Sequence, residues 1–213
     1  MLLSFRVRIV ILLAIVCIIG YFGINYFKPN EYNTLFKDNV YLEGEYEDYI
    51  SNVDLPLSKV GDAFTYIFNI KFNNIPENIT WLTDFKYKRM ILNRNGSPSV
   101  AYYPKEHILE ISVAYKDQNE QMTPFNIDIH NLKIQSWNTI GIVLDNKILS
   151  IYNDGYILKK GLLPNVPFIF NKDLIIGHKN NNFNGILESG KYFNRALTPD
   201  EILNHYMDSI NKF

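Results

Sequence analysis

The stretch "FTYIFNIKF", residues 64–72, puts Phe64, Tyr66, Phe68, Ile70 and Phe72 at every second position. Strict alternation over nine residues describes an extended strand with one face buried. On a helix the same five side chains would scatter around the cylinder. A chain with this segment at its centre must build a sheet and cover one side of it.

The pattern recurs. "ILEISVAY" (108–115) brings Leu109, Ile111, Val113 and Tyr115 to one side, and "FNIDIH" (125–130) aligns Phe125, Ile127 and Ile129, leaving Asn126, Asp128 and His130 outward. "WNTIGIVLDNKILSIYNDGYIL" (137–158) reads as three strands joined by an Asp-Asn turn and an Asn-Asp-Gly turn, the residue types that tolerate the positive φ of tight hairpins. "DLIIGH" (173–178) is a further short strand. Short strands with turn signals every 8–12 residues predict an all-β sandwich or barrel. Hydrophobic residues make up 47% of the chain and aromatics 15%, enough to fill its core.

The chain ends differently. Thr198-Pro199-Asp200-Glu201 carries four helix-start signals. Thr198 is an N-cap and Glu201 closes a capping box. Pro199 suits the first helical position, and the two acids complement the helix dipole. Leu197 and Ile202 can form a hydrophobic staple. A short helix over about 199–210 is expected.

At the other end, residues 9–27, "IVILLAIVCIIGYFGINYF", carry no charge. As a helix they would extend about 28 Å, near the hydrocarbon thickness of a bilayer. Tyr21, Tyr26 and Phe27 gather at its C-terminal end like an interfacial belt, and Arg6 and Arg8 precede it. The competing reading is a cleaved signal peptide. Its small residues at −3 and −1 are missing, since Tyr21 lies before Gly23 and Ile18 before Gly20. A lipoprotein site at Cys17 is poorly matched by Val16. The organisation expected is a cytoplasmic N-terminus (1–8), a transmembrane signal anchor (9–27), a linker (28–40) and one domain (41–213) that is extracytoplasmic, lumenal or on a virion surface. Asn78-Ile79-Thr80 and Asn95-Gly96-Ser97 have the form of glycosylation acceptors, and Pro98 weakens the second.

With the strands and the capped helix in place, a resemblance emerges. "SWNTIGIVLDNKILSIYNDG" is similar to the central motif of laminin-G-like, concanavalin A-like jelly rolls, with Trp137, Tyr152 and Gly155 at its marked positions. "FNGILESGKYFNRALTPDEI" resembles their closing motif through Phe183, Gly185, Asn194, Arg195, Leu197, Thr198, Pro199 and Glu201. "FTYIFNIKF" resembles an early core strand of that family, with Asn69 where a Trp is common. The resemblance covers about Val40 to Tyr206. It implies an antiparallel jelly-roll β-sandwich with one C-terminal helix, and these residues as structural markers rather than ligand contacts: a packing role for Trp137, a turn at Gly155, a bulge or close approach at Gly185, and backbone or carboxylate bonds for Arg195.

The chemistry in the sequence is sparse. A single cysteine excludes an intrachain disulfide and a Cys-based zinc site. A formal net charge of −1 gives no pull toward nucleic acid. The richness in Asn, Ile, Lys, Tyr and Phe follows A/T-rich codons and is not functional evidence. Glu43, Glu45 and Glu47 in "EGEYEDY" would share one face of a strand, but the Glu-x-Asp-x-x-Glu motif of hydrolases with this fold is missing. His107, His130, His178 and His205 lack ligand spacing. Asp145-Asn146, Asn153-Asp154 and "HKNNNFNG" (178–185) offer oxygens suited to calcium and are explained equally well as turns. No catalytic residue, metal ligand or cofactor is assigned. The expected function is a non-catalytic, membrane-anchored recognition module binding carbohydrate or protein through its loops. The alternatives are a structural surface or envelope protein without a free ligand and, further off, a glycoside hydrolase.

Overall fold

The alternating apolar residues of the Phe64 segment form the centre of the molecule. A computed structural model describes residues 32–59, 61–73, 88–179 and 183–210. The expected anchor at 9–27, the sequon at 78–80 and part of the 178–185 loop lie outside these residues. Among the described residues, no helix is long and apolar enough to cross a membrane.

Thirteen strands are described: β1 (Asn33–Phe36), β2 (Val40–Leu42), β3 (Glu47–Ile50), β4 (Ala63–Phe72), β5 (Arg89–Asn93), β6 (Ser99–Tyr103), β7 (Ile108–Lys116), β8 (Met122–Ile129), β9 (Trp137–Asp145), β10 (Ile148–Asn153), β11 (Tyr156–Leu162), β12 (Leu174–Gly177) and β13 (Gly185–Phe193). One helix, α1 (Pro199–Ile210), follows them. The strands form two sheets of antiparallel pairs. A seven-stranded sheet runs β1-β13-β4-β9-β10-β11, with β2 also on β13, and a six-stranded sheet runs β3-β12-β5-β6-β7-β8.

Both sheets contribute to one apolar core. Phe64, Tyr66, Phe68, Ile70 and Phe72 of β4 meet Leu109, Ile111 and Val113 of β7 in it, so the expected buried faces do turn inward. Phe72, Tyr102 and Phe183 pack as an aromatic trio with ring centroids 4.7–5.8 Å apart. Pro124 lies on β8, at the free edge of its sheet, where a missing N–H breaks no ladder bond.

A second core, which alternation alone does not announce, lies on the other side of the seven-stranded sheet. Ile67, Val143, Tyr152 and Phe193 point outward from it and pack with Leu197 and Ile202 under α1. That is why β4 is buried on both faces. Gly141 permits the approach, because a Cβ there would stand 3.2 Å from Tyr152 and 3.5 Å from Ile202.

Two expectations near the start of the domain are corrected. The stretch expected as linker contains β1 and the first residue of β2, which pair with β13. They are short, partly polar edge strands, and their partner lies about 150 residues away in sequence, so no local pattern marks them. Glu43, Glu45 and Glu47 do not share a strand either. Gly44 takes a left-handed φ of +61° and turns the chain, and only Glu47 belongs to β3.

Candidate functional site

Of the residues singled out by the two family-like motifs, Tyr152, Arg195, Leu197, Thr198, Pro199 and Glu201 gather around the outer core and its rim. Thr198 and Glu201 bond reciprocally: Glu201 N–H donates to Thr198 Oγ1 at 3.3 Å, and Thr198 N–H donates to Glu201 Oε2 at 2.8 Å. Pro199 occupies the first position of α1. Arg195 grips Glu201 with both terminal nitrogens, at 3.0 and 2.6 Å. The Arg195 bond is the largest of the effects that hold the Glu201 carboxyl down at about 2, with Thr198 adding to it against a smaller opposing effect of burial. Thr65 of β4 fixes this segment by donating to Arg195 O at 2.8 Å and accepting from Leu197 N–H at 3.0 Å. Asn194 is half-buried between Phe193 and Arg195.

The other marked residues are similarly placed in packing and turns. Trp137 opens β9 opposite Lys71 and is half-buried. Tyr152 sits beneath α1, and burial raises its phenol pKa. Asp154 and Gly155 both have positive φ, +51° and +82°, and form the two-residue β10–β11 turn. Phe183 belongs to the aromatic trio, and Gly185 opens β13 directly above its ring. Asn69 is buried and accepts from Thr139 Oγ1 at 2.8 Å. Phe183 and Gly185 thus belong to the core between the sheets, and Tyr152, Leu197 and the Arg195–Glu201 pair to the outer core and its rim.

Of the oxygens considered for calcium, those of Asp145 and Asp154 are hydrogen-bonded in turns, whereas Asn153 Oδ1 is buried with no partner among the described residues. Asp154 accepts from Thr139 N–H at 3.0 Å and pairs with Lys133 at 2.6 Å. Asn146 donates to Asp145 at 3.0 Å. Among the described residues, no group of three or more His, Cys, Asp or Glu is gathered as a metal site. The histidines remain dispersed: His107 shares a hydrogen bond with Tyr102 at 2.8 Å, and His205 approaches Lys191 Nζ at 3.2 Å. Glu47 accepts from Tyr49 OH at 2.5 Å, the leading cause of its lowered pKa. Ser97 of the second sequon is buried and accepts from Ala114 N–H at 2.9 Å.

The opposite side of the molecule differs. Among the described residues no helix lies on the outer face of the six-stranded sheet. There β8 exposes Asn126 and Asp128, whereas Ala101 of β6 and Glu110, Ser112 and Ala114 of β7 are buried. Glu110 of β7 is the centre of a polar network, only 8% exposed. It pairs with Lys88, accepts from Tyr103 OH at 3.4 Å and accepts from Asn126 Nδ2 at 3.3 Å. Burial first, then Glu110, raises the Tyr103 phenol pKa. Asp128 lies directly across from Glu110 in the ladder, and Ser112 lies across from Asn126. Beside the buried Glu110 carboxylate lie the exposed Asp128 carboxylate, the exposed Asn126 amide and the half-buried Tyr103 phenol.

Sequence reasoning had Asn126 and Asp128 as outward positions, and Glu110 alternates with the core residues of its strand. The convergence escapes it because it depends on register between strands, which a single strand does not encode.

No protein-family model matches the chain, and no curated protein matches it. Several solved structures do. The binding domain of botulinum neurotoxin serotype G is 16% identical, with a TM-score of 0.61 over 85% of this chain and 48% of that one. The binding domain of botulinum neurotoxin DC solved with rat synaptotagmin II is 12% identical, with a TM-score of 0.59 over 84% of this chain and 45% of that one. The binding domain of botulinum neurotoxin DC solved with SialylT is 13% identical, with a TM-score of 0.52 over 68% and 35%. The chain spans about half the length of the first of these, or less of the others. At such identities the likeness is one of fold: this chain has two antiparallel sheets around one core, with a short C-terminal helix, as similar in architecture to part of these toxin binding domains.

Proposed function

We propose that the chain is a non-catalytic recognition module, a laminin-G-like, concanavalin A-like jelly roll that binds a glycan or a protein on the outer face of its six-stranded sheet. The observation that carries this reading is the Glu110 network. Side chains from three neighbouring strands meet there, with Asn126 and Asp128 exposed beside the buried Glu110, while α1 packs on the outer side of the other sheet. Lys88 and Asn126 hold the Glu110 carboxylate, and Asp128 and Tyr103 beside it offer an acceptor, a donor and a ring. Such a set matches the alternating hydroxyls and apolar faces of a sugar, or the amides of a peptide.

The related binding domains solved with SialylT and with synaptotagmin are consistent with either ligand class. The anchor belongs to the same reading: residues 9–27 hold the chain in a membrane, with the N-terminus cytoplasmic and the folded domain on the far side. The test uses the full chain in lipid nanodiscs, applied to a glycan array and used as bait for cell-surface proteins. Binding that is lost in Glu110→Gln supports the proposal, and silence on both, with a cooperative melt, defeats it. Alkaline carbonate extraction tests the anchor separately, since an anchored chain stays with the membrane pellet.

A further inference from the structure

Among the described strands the two sheets end in four edges, and three of them are blunted. Strands β1 and β2 are only four and three residues long, β8 carries Pro124, and β3 carries Glu47 and Asp48. Short strands, prolines and charges keep sheet edges from pairing. Edge strand β11 is different. It is seven residues long, has no proline, and leaves Tyr156, Ile157, Leu158 and Leu162 between 46% and 69% exposed. A long apolar edge of this kind is a template for another strand.

The lysines in the middle of β11 select the partner. Lys159 lies opposite the core residue Ile151, on the inward side of the sheet, and Lys160 lies opposite Ser150, on the outward side. Lys159 donates to the backbone carbonyl of Asp128, and among the described residues neither lysine forms an ion pair. Two β11 strands laid antiparallel would set these ammonium groups against each other, which disfavours pairing of β11 with itself. A strand with two consecutive carboxylates beside apolar residues fits instead.

Strand β3, "EDYI", is such a strand, and it is itself an edge. Asp48 lies opposite the core residue Ile176, so it takes the inward side, and Glu47 takes the outward side. Both carboxylates accept hydrogen bonds, from Tyr46, Tyr49 and Lys179 N–H, but neither forms an ion pair among the described residues. Tyr49 beside them is 57% exposed.

Strand direction agrees. The Gly161 position meets Phe125 and Ile127 while Lys159 reaches Asp128, so β11 and β8 run oppositely. Five antiparallel steps lead from β8 to β3, so β3 runs the same way as β11. A second copy turned over by half a turn therefore lays its β3 antiparallel to β11, with the inward sides of both strands on one side. With Lys159 opposite Asp48 of that copy, Lys160 falls opposite its Glu47. Leu158, the extra residue of the β11 bulge, falls opposite its Tyr49. We propose that the β11 edge docks the β3 edge of a second copy of this chain. The two patches differ, so the contact is head-to-tail and repeats from copy to copy rather than closing a dimer. It is independent of the Glu110 reading.

The test is sedimentation velocity of the full chain in detergent, over a dilution series. The native chain is expected to form species larger than the monomer that grow with concentration. Lys159→Glu/Lys160→Glu and Glu47→Lys/Asp48→Lys are each expected to stay monomeric, because each sets like charges against each other. Their equimolar mixture is expected to associate again, because each then meets the opposite charge. A native chain that stays monomeric overturns the proposal. Association that survives either swap runs through another surface and overturns it too, as does a mixture that stays monomeric. If a doubly swapped chain does not fold, Lys160→Gln and Asp48→Asn, both at exposed positions, decide the matter. Each is expected to weaken association about tenfold, and unchanged association in both overturns the proposal.

Discussion

Arg94 donates a hydrogen bond from Nη1 to the hydroxyl of Tyr66 at 3.3 Å, in fully buried space between the two sheets. The guanidinium also donates to Lys172 O at 3.0 Å, to Leu55 O at 2.6 Å and to Tyr192 OH at 3.5 Å. Tyr192 in turn donates to Pro56 O at 2.7 Å. One buried cation therefore ties two loops, near residues 55 and 172, to the end of the core. Burial pushes the Tyr66 phenol pKa far up, the nearby Arg94 charge offsetting only part of it, so Tyr66 stays a neutral partner.

Replacing Arg94 by leucine leaves two carbonyls and two phenols without their donor. The expected loss is about 3 kcal/mol or more, measured by urea unfolding. Arg94→Lys keeps the charge but lacks the planar fork, so it is expected to recover less than half of that loss.

Gly185 has an ordinary φ, yet it is expected to tolerate alanine worse than Gly44, whose φ is +61°. A Cβ at Gly185 would stand 2.1 Å from the Phe183 ring and 2.5 Å from Lys71 O, whereas at Gly44 it meets nothing within 4 Å. Gly44→Ala carries only backbone strain of about 1 kcal/mol. Gly185→Ala must displace backbone of β4 and is expected to cost about 2–4 kcal/mol. Thermal melts of the two variants provide the comparison.

The Glu201 carboxyl titrates at about 2 in the folded chain, chiefly because Arg195 bonds to it. Its folded pKa is below the unfolded value, so its contribution is complete above about pH 4.5 and fades as pH falls toward 2. The pair is partly exposed, with side-chain exposures of 42% and 34%, and solvent screens it to a modest effect. The melting temperature is expected to drop more steeply over pH 4.5–2 in the native chain than in Glu201→Gln. Equal slopes would mean that the pair contributes no pH-dependent stability.

These tests follow the parts of the fold that sequence reveals unevenly. The inward faces of β4, β7 and β8 are legible because core side chains repeat at period two. The α1 start is legible because capping is local, confined to Thr198, Pro199 and Glu201. Arg94 is not, since a charged residue in "NRNGSP" reads as a solvated turn and its partners come from residues 55, 66, 172 and 192. Strand β1 is not, because its four residues gain order only by pairing with β13. The Glu110 network is hidden for the same physical reason: Tyr103, Glu110 and Asn126 become neighbours through strand register, not through spacing.

The recognition face is tested most directly by amide hydrogen exchange on the full chain in nanodiscs, with and without the glycan or protein that the array and capture experiments select. The account predicts protection concentrated in residues 99–129, the β6–β8 region, and a loss of about tenfold or more in affinity for Glu110→Gln with its fold intact. Protection confined to residues 183–210, with full binding retained in Glu110→Gln, would place recognition on the helix-covered side and contradict the account.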